Sequence, residues 1–313
     1  MTPALKVLFF GTGAFGLPAL DRLVADGHEI IAVVTAVDKP QGRHLELQPS
    51  PVKEWAMHQG VDYWQFATLL DGAVRDKIRD AQADVFVVIS YGKILPEELL
   101  RLPRLASLNV HSSLLPLYRG PAPIHWAILN GDAVTGVTVM RMAAALDTGP
   151  VLLQKKTPIG PHESQPALEK RLAVLGADVL AESLALAASG RAYFAPQDES
   201  LASYAPKIRK EDGRLDWSKP AEVLALEVRA FAGWPKSHAF LRGERILFLA
   251  AEAKASDAAL KPGTVLSAAA ESLDIACGDG LLSVQKIQAA GKNPLDARAF
   301  LQGCALKPGD RFE

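Results

Sequence analysis

The sequence predicts an α/β domain built on a mostly parallel sheet, followed by a small antiparallel β-barrel. The chain has 313 residues, more than the ~250–300 at which single hydrophobic cores stop growing. Its N-terminal part alternates strand-like and helix-like segments, and the segment 85–89 is apolar throughout, as in strands buried on both faces. After residue 206 short strand candidates alternate with Gly-rich turns. We therefore predict domains at 1–189 and 207–313, joined by a polar linker at 190–206.

Composition places the chain among ordinary globular proteins. Hydrophobic residues make up 49%, charged residues 22%, and the net charge is −1, which does not by itself indicate a nucleic-acid binder. Two cysteines, Cys277 and Cys304, are too few for a disulfide framework and lack metal-site spacing, so we expect no metal. No apolar run approaches the ~20 residues that span a bilayer. The first residues favour a core strand over a secretory signal, and we expect a cytoplasmic protein.

The first βαβ segment carries a glycine pattern that two kinds of protein share. A strand at 6–10 leads into G-x-G-x-x-G at 11–16, which opens a helix at 17–26 before a second strand at 29–35. Asp38 lies where a dinucleotide-binding unit would place its ribose-binding acid. However, it follows the strand by several residues, inside a Pro/Gly loop. We interpret the glycines as a tight strand-to-helix turn, and a nicotinamide-dependent oxidoreductase remains an alternative.

The remaining elements follow from periodicity and from helix start signals. Ser50 can cap a helix whose first residue is Pro51. In the first domain we predict helices at 51–59, 70–81, 122–130 and 163–188, and strands at 84–89, 105–110, 134–142 and 151–155. In the second domain we predict a helix at 222–231 and strands at 237–242, 244–250, 263–266, 273–276 and 281–288.

Polar side chains cluster where the buried strand 105–110 ends. Asn109 and His111 lie two residues apart, so in an extended chain their side chains leave the same face. Ligands of open α/β sheets bind at such carboxyl strand ends. An amide and an imidazole there can donate hydrogen bonds to one developing negative oxygen. Asp147, which follows the strand at 134–142, is a third candidate. Taken singly, each of these residue types more often serves a cap, a turn or a buried hydrogen bond.

The whole string resembles the active-site signature of the folate-dependent formyltransferases. Its parts are Asn109-Val110-His111-Ser112-Ser113-Leu114-Leu115-Pro116 and, some thirty residues later, Leu146-Asp147-Thr148-Gly149. The resemblance implies a Rossmann-like domain that uses no dinucleotide, with 10-formyltetrahydrofolate as formyl donor and no metal. It further implies that the Asn109 amide and a protonated His111 stabilise a tetrahedral oxyanion while Asp147 orients His111. The implied folate-binding residues are Ser90, Tyr91, Gly92, Ser113, Leu114, Leu115 and Pro116.

Two further segments resemble family members that act on methionyl-tRNA. The loop 38–53 is similar to the one these members insert after the second strand to hold the acceptor stem, and Arg43 matches their key arginine. The region 207–313 is similar to their C-terminal OB-like domain, which carries Leu215-Asp216-Trp217, Trp234-Pro235 and Gly278-Asp279-Gly280 here. The resemblance implies initiator methionyl-tRNA as the acceptor and implies no protein partner, and we expect a monomer that does not bind a membrane. The implied tRNA-binding residues are Arg43, Lys207, Arg209 and Lys210.

Three alternatives stay open at this point. Another formyl acceptor, such as a sugar amine, a glycinamide nucleotide or water, would keep the fold and the candidate residues. An oxidoreductase would bind NAD(H) at the glycine-rich turn. A non-catalytic RNA-binding module is disfavoured by the intact Asn109, His111 and Asp147 set and by the near-neutral charge.

Overall fold

The chain divides into two compact units, each assembled from separate stretches of sequence. The structure is a computed structural model and describes residues 3–41, 46–257, 260–269, 272–304 and 306–313. Unit 1 comprises Met1–Gly120, Val134–Pro158 and Glu169–Ala205, and unit 2 comprises Pro121–Ala133, Ile159–Leu168 and Pro206–Glu313.

Strands and helices follow one another along the chain much as the hydrophobic patterns predict. The strands are β1 Lys6–Gly11, β2 Glu29–Thr35, β3 Lys39–Gln41, β4 Glu46–Gln48, β5 Tyr63–Gln65, β6 Val85–Ile89, β7 Ala106–His111, β8 Val134–Arg141, β9 Val151–Pro158, β10 Ser237–Leu241, β11 Glu244–Lys254, β12 Val265–Ala269, β13 Ser272–Ala276, β14 Leu281–Ala289 and β15 Leu295–Asp296. The helices are α1 Leu17–Ala25, α2 Pro51–Gln59, α3 Gly72–Asp80, α4 Glu97–Leu100, α5 Pro123–Leu129, α6 Gln165–Ala188, α7 Ala221–Ala230 and α8 Ala297–Gly303. The sequence patterns missed the short elements β3, β4, β5, β15, α4 and α8.

Unit 1 is organised around a seven-stranded sheet. Its strand order is β5-β2-β1-β6-β7-β8-β9. The strands from β5 to β7 pair in parallel, whereas β8 pairs antiparallel with both β7 and β9. The predicted α/β class with a Rossmann-like parallel sheet is confirmed. Because β6 and β7 are parallel neighbours, their carboxyl ends lie side by side at one edge of the sheet.

The central strands of unit 1 are apolar because their residues are buried on both faces of the sheet. All five residues of β6 are buried. On one face the ring of Phe10 lies 5.2 Å from Phe86 and 5.5 Å from Tyr91, centroid to centroid. These three rings belong to one buried core cluster on that face.

The glycine-rich segment after β1 is a tight strand-to-helix turn, as the sequence predicts. A single 3-10 turn, Ala14–Gly16, joins it to α1. A Cβ atom on Gly11 would lie 2.5 Å from a ring atom of Phe9, and one on Gly16 would lie 3.0 Å from the same ring. Gly13 would meet only Ser90, at an ordinary 3.7 Å. Packing against Phe9 therefore explains the first and last glycines of the pattern without a dinucleotide.

Asp38, the acid that a dinucleotide would use, is occupied by protein partners. Its carboxylate accepts a hydrogen bond from Lys53 Nζ at 2.6 Å and another from Gln65 Nε2 at 2.7 Å. These hydrogen bonds lower the pKa of Asp38 below its usual range. The carboxylate thus secures the loop after β2 to α2 and β5.

Unit 2 contains a six-stranded antiparallel sheet. The order is β10-β11-β14-β13-β12, and β15 pairs with β14. Its core is organised by three rings: Trp217 lies 5.5 Å from Phe248 and 5.9 Å from Phe312, centroid to centroid. The predicted antiparallel β-structure of the C-terminal region is confirmed.

Candidate active site

Two of the three candidate residues lie on β7, near the carboxyl end of the sheet. In the ladder with β8, Asn109 pairs with Met140 and His111 pairs with Thr138. The two polar side chains leave the same face of β7. His111 is buried with 7% of its surface exposed, and Asn109 is half-buried. A rigid strand held on both sides therefore positions both groups.

Asp147 joins them from the turn after β8. Its carboxylate Oδ1 lies 3.4 Å from Asn109 Nδ2, and its Oδ2 lies 3.7 Å from His111 Nδ1. The backbone N–H of Gly120 donates to Oδ2 at 2.8 Å. Asp147 is buried, and its backbone is left-handed with φ of 55°. The structure thus brings all three residues of the predicted set together.

The hydrogen-bond partners of His111 define what its ring can donate. Nε2 lies 2.9 Å from the carbonyl oxygen of Tyr118, which can only accept, so Nε2 carries a hydrogen. Nδ1 faces the carboxylate of Asp147, another acceptor. The His111 ring and the Asn109 amide therefore lie beside one buried carboxylate, and an amide and an imidazole are groups that can stabilise a developing oxyanion.

The turn that carries Asp147 depends on Gly149. A Cβ atom there would lie 1.7 Å from the carbonyl oxygen of Arg141, so no other residue fits. Gln197 donates from Nε2 to the carbonyl oxygens of Asp147 and Gly149, at 2.8 and 2.7 Å. Sequence reasoning missed Gly120 and Gln197 as parts of the site. Gly120 contributes only its backbone N–H, and Gln197, fifty positions from Asp147, carries no local signal.

The predicted folate segment after His111 is held by buried hydrogen bonds. Ser113 is fully buried, and its hydroxyl donates to the carbonyl of Leu117 at 2.6 Å. The hydroxyl of Thr138 donates to Ser113 O at 2.6 Å and accepts from Leu115 N at 3.1 Å. Leu115 is buried, whereas Leu114 and Pro116 are half-buried. The side-chain surface that this segment leaves exposed is therefore mainly apolar.

The second predicted folate segment is a turn in which Ser90 and Gly92 are exposed and Tyr91 is buried. Ser90 and Gly92 both have left-handed backbones, with φ of 51° and 76°. The ring of Tyr91 is buried in the core, and its carbonyl accepts from Thr12 Oγ1 at 3.3 Å. Its phenol oxygen has no hydrogen-bond partner within the described residues. Burial raises the pKa of Tyr91 to about 12.

The predicted tRNA-binding residues divide between described and undescribed parts of the chain. Lys207, Arg209 and Lys210 are exposed on unit 2, on either side of the buried Ile208. Arg43 lies outside the described residues.

The described ranges hold no group of three or more His, Cys, Asp and Glu side chains that could bind a metal ion. Over the same ranges, none of the helices has both the length and the apolar character needed to cross a bilayer.

Comparison with known proteins decides the family. The sequence profile of the formyl transferase family matches residues 5–184, and that of the formyl transferase C-terminal domain matches residues 207–305. The chain is 46% identical to the methionyl-tRNA formyltransferase of Thiobacillus denitrificans, over 98% of this chain and 99% of that protein. It is 42% identical to the enzyme of the same name from Pelobacter propionicus, over 97% and 95% of the two chains. The chain belongs to the methionyl-tRNA formyltransferase family. The predicted family is therefore confirmed.

A solved structure shares the fold of this family member. The sugar 3N-formyl transferase WlaRD, whose crystal structure was determined in the presence of dTDP and 5-N-formyl-THF, superposes with a TM-score of 0.67. The match covers 93% of this chain and 100% of that one at 17% identity. At that identity the comparison shows a common fold.

Proposed function

We propose that this enzyme transfers the formyl group of 10-formyltetrahydrofolate to the amino group of initiator methionyl-tRNA. The observation that carries the proposal is that Asn109, His111 and Asp147 meet at the end of β7. The Asp147 carboxylate lies 3.4 Å from Asn109 Nδ2 and 3.7 Å from His111 Nδ1. Relatives that share 42–46% identity over nearly the full chain bear the name of this activity.

In the proposed reaction the amine nitrogen attacks the formyl carbon, and the carbonyl oxygen becomes an oxyanion. Asn109 and the cationic ring of His111 stabilise this charge, which is larger in the transition state than in the ground state. Asp147, or a water that it holds, accepts the proton that the amine loses. The bond from the formyl carbon to N10 of the folate then breaks, and tetrahydrofolate leaves with a proton on that nitrogen.

We propose that the folate lies against the two loops that follow β6 and β7. Backbone groups at Ser90, Tyr91 and Gly92 are suited to hydrogen-bond the pterin ring, because left-handed turns leave such groups unpaired by the ladder. Partly exposed apolar side chains at Leu114 and Pro116 supply a surface for the ring.

We also propose that 1–189 is the catalytic domain, 190–206 the linker and 207–313 the tRNA-binding domain. Exposed Lys207, Arg209 and Lys210 supply phosphate contacts. We further propose a monomeric enzyme that acts in the cytoplasm.

A competition assay tests the proposal. Purified protein and 10-formyltetrahydrofolate are incubated with initiator methionyl-tRNA, an amino-sugar nucleotide and water as acceptors. We expect formyl-methionyl-tRNA as the product. Donor turnover without tRNA formylation would move the activity to another acceptor, and tight NAD(H) binding without donor turnover would restore the oxidoreductase alternative.

A charge-matched pair of variants tests the tRNA surface. We expect K207A/R209A/K210A to raise KM for tRNA at least tenfold and to leave KM for folate unchanged. The dependence of tRNA binding on salt concentration should weaken by the equivalent of up to about three phosphate contacts. Lys6, Lys156 and Lys170 are exposed on unit 1, and their triple alanine variant removes the same charge as a control. Equal effects of the two triple variants would contradict a specific tRNA surface at 207–210.

A further inference from the structure

Among the residues that the structure describes, one hydrogen bond shorter than 3 Å holds the carboxylate of Asp147, and its donor is Gly120 N. Its distances to Asn109 and His111, 3.4 and 3.7 Å, are longer than ordinary hydrogen bonds. Small displacements of the turn would therefore separate the three groups. The position of that turn therefore determines the geometry of the three groups.

The side-chain amide of Gln197 binds backbone carbonyl groups of the turn that carries Asp147. Its two N–H groups meet two carbonyl oxygens, Asp147 O at 2.8 Å and Gly149 O at 2.7 Å. A primary amide has two such hydrogens, so both are used. These two bonds flank Thr148 and fix the carbonyls on either side of it.

Arg119 fixes which way the amide points. Its Nε and Nη2 atoms donate to Gln197 Oε1 at 3.0 and 2.8 Å. A flipped amide would set its NH2 group against a guanidinium and its oxygen against two carbonyls, which no hydrogen-bond assignment can satisfy. The orientation is therefore unique.

The guanidinium is itself immobilised. Glu199 accepts from Nη1 at 2.8 Å and from Nη2 at 2.7 Å, a two-point contact that holds the plane of the group. The backbone of Arg119 pairs with the same downstream segment, donating to Ser203 O at 2.8 Å and accepting from Ala205 N at 2.7 Å.

These contacts form a closed ring. The side chain of Arg119 reaches the backbone of Asp147 through Gln197, and the next residue, Gly120, donates its N–H to the carboxylate of Asp147. The neighbouring residues Arg119 and Gly120 thus position both the backbone and the carboxylate of Asp147.

We propose that Gln197, oriented by Arg119, is a positioning residue for the transfer reaction, and that it acts through Asp147. This inference rests on the proposed function. Removing the two donors of Gln197 frees the turn, and the expected effect is a fall in kcat of ~10–100-fold, as for other residues that support a catalytic group from behind.

Gln197→Glu is the primary variant, because it keeps the size of the side chain and an acceptor for Arg119 but places an oxygen against the two carbonyls. Gln197→Ala is the second variant. We expect both to lower kcat with KM for 10-formyltetrahydrofolate within about twofold of wild type. Leu201→Ala, an exposed change on the same segment, is the control and should leave kcat unchanged.

A double-mutant cycle separates positioning from general destabilisation. If Gln197 acts through Asp147, then Gln197→Ala should change the residual rate of Asp147→Ala by less than ~3-fold. Multiplication of the two losses, or a wild-type kcat in either Gln197 variant, would overturn the inference. Wild-type protein assayed in parallel distinguishes this result from failure of the proposed function, which would leave wild type itself without formyl transfer.

Discussion

The carboxyl ends of β7 and β6 are neighbours in one sheet, but the buried polar groups near them differ in hydrogen bonding. Beside β7 the hydroxyl of Thr138 is fully buried and has three partners: Ser113 O, Leu115 N and Gln154 Nε2, at 2.6, 3.1 and 2.9 Å. Beyond β6 the phenol of Tyr91 is buried without a partner in the described residues.

The two strand ends therefore differ in whether side chains or a backbone turn form the candidate site. At β7 two of the candidate side chains leave the strand itself, and buried hydrogen bonds of Thr138 hold the adjacent segment at Ser113 and Leu115. At β6 the aromatic ring of Tyr91 packs in the core, and the exposed residues of the turn after the strand are Ser90 and Gly92. Substitutions should therefore have large effects at the first end and small effects at the second.

The largest expected effect is on catalysis. We expect His111→Ala, Asn109→Ala and Asp147→Ala each to lower kcat by roughly 10²–10³-fold, since each removes a group that acts on the transition-state charge or positions one that does. Steady-state kinetics with tRNA and folate varied separately measure this. KM for the donor should change little, and near-normal turnover of His111→Ala would refute the assignment.

A large loss of stability is expected at Gly149. In Gly149→Ala the new methyl would lie 1.7 Å from Arg141 O, a backbone atom that cannot move aside cheaply, so we expect a loss of at least ~3 kcal/mol in the free energy of unfolding. Urea denaturation measures it. Gly72→Ala, at the first position of α3 with nothing within 4 Å of the new Cβ, is the matched control and should be neutral or stabilising.

Thr138→Val tests the network beside β7 directly. The substitution preserves shape but leaves Leu115 N and Ser113 O without a bonded partner, and each unpaired buried group costs about 1–3 kcal/mol. We expect a loss of about 2–4 kcal/mol in the free energy of unfolding. A loss below ~0.5 kcal/mol would remove the contrast with β6.

Tyr91→Phe should have the smallest effect. It deletes a buried hydroxyl without a partner in the described residues, so at pH 7 the free energy of unfolding should stay within ~0.5 kcal/mol of wild type or rise. Folate KM should be unchanged, because the ring is not at the surface. A large rise in that KM would show that the phenol oxygen reaches the ligand.

The same substitution has a signature at high pH. Burial raises the pKa of Tyr91 from 10.0 to about 12, so the native state holds the phenolic proton more tightly than the unfolded state does. Stability should therefore fall as the pH rises from about 10 towards about 12, and each unit of difference corresponds to about 1.4 kcal/mol. Tyr91→Phe should lose less stability than wild type over that range, as followed by urea unfolding at several pH values.

From the sequence we predicted the candidate residues on β7 and in the turn that follows β8. Asn109 and His111 follow from a strand with period two, and Asp147 follows from the end of the neighbouring strand. The contact of Gly120 could not be predicted, because it uses a backbone N–H, which every residue except proline possesses. Gln197 escaped because its partners are carbonyls far away in the chain.

Short elements were harder to predict for a related reason. Strand β5 has three residues and α4 has four, too few to display a period. The glycine pattern after β1 was ambiguous in sequence, since only the position of Phe9 in the fold explains why Gly11 and Gly16 lack side chains.

The ladder on both sides of β7 has a consequence for motion. Amide hydrogens of a strand paired with β6 and β8 exchange with solvent only when large parts of the sheet open, whereas the turn around Asp147 can open locally at much lower free energy. On warming, the aspartate should separate from the histidine while the sheet is still intact. Formyl transfer should then cease several degrees below the unfolding transition, with the strands still protected from deuterium.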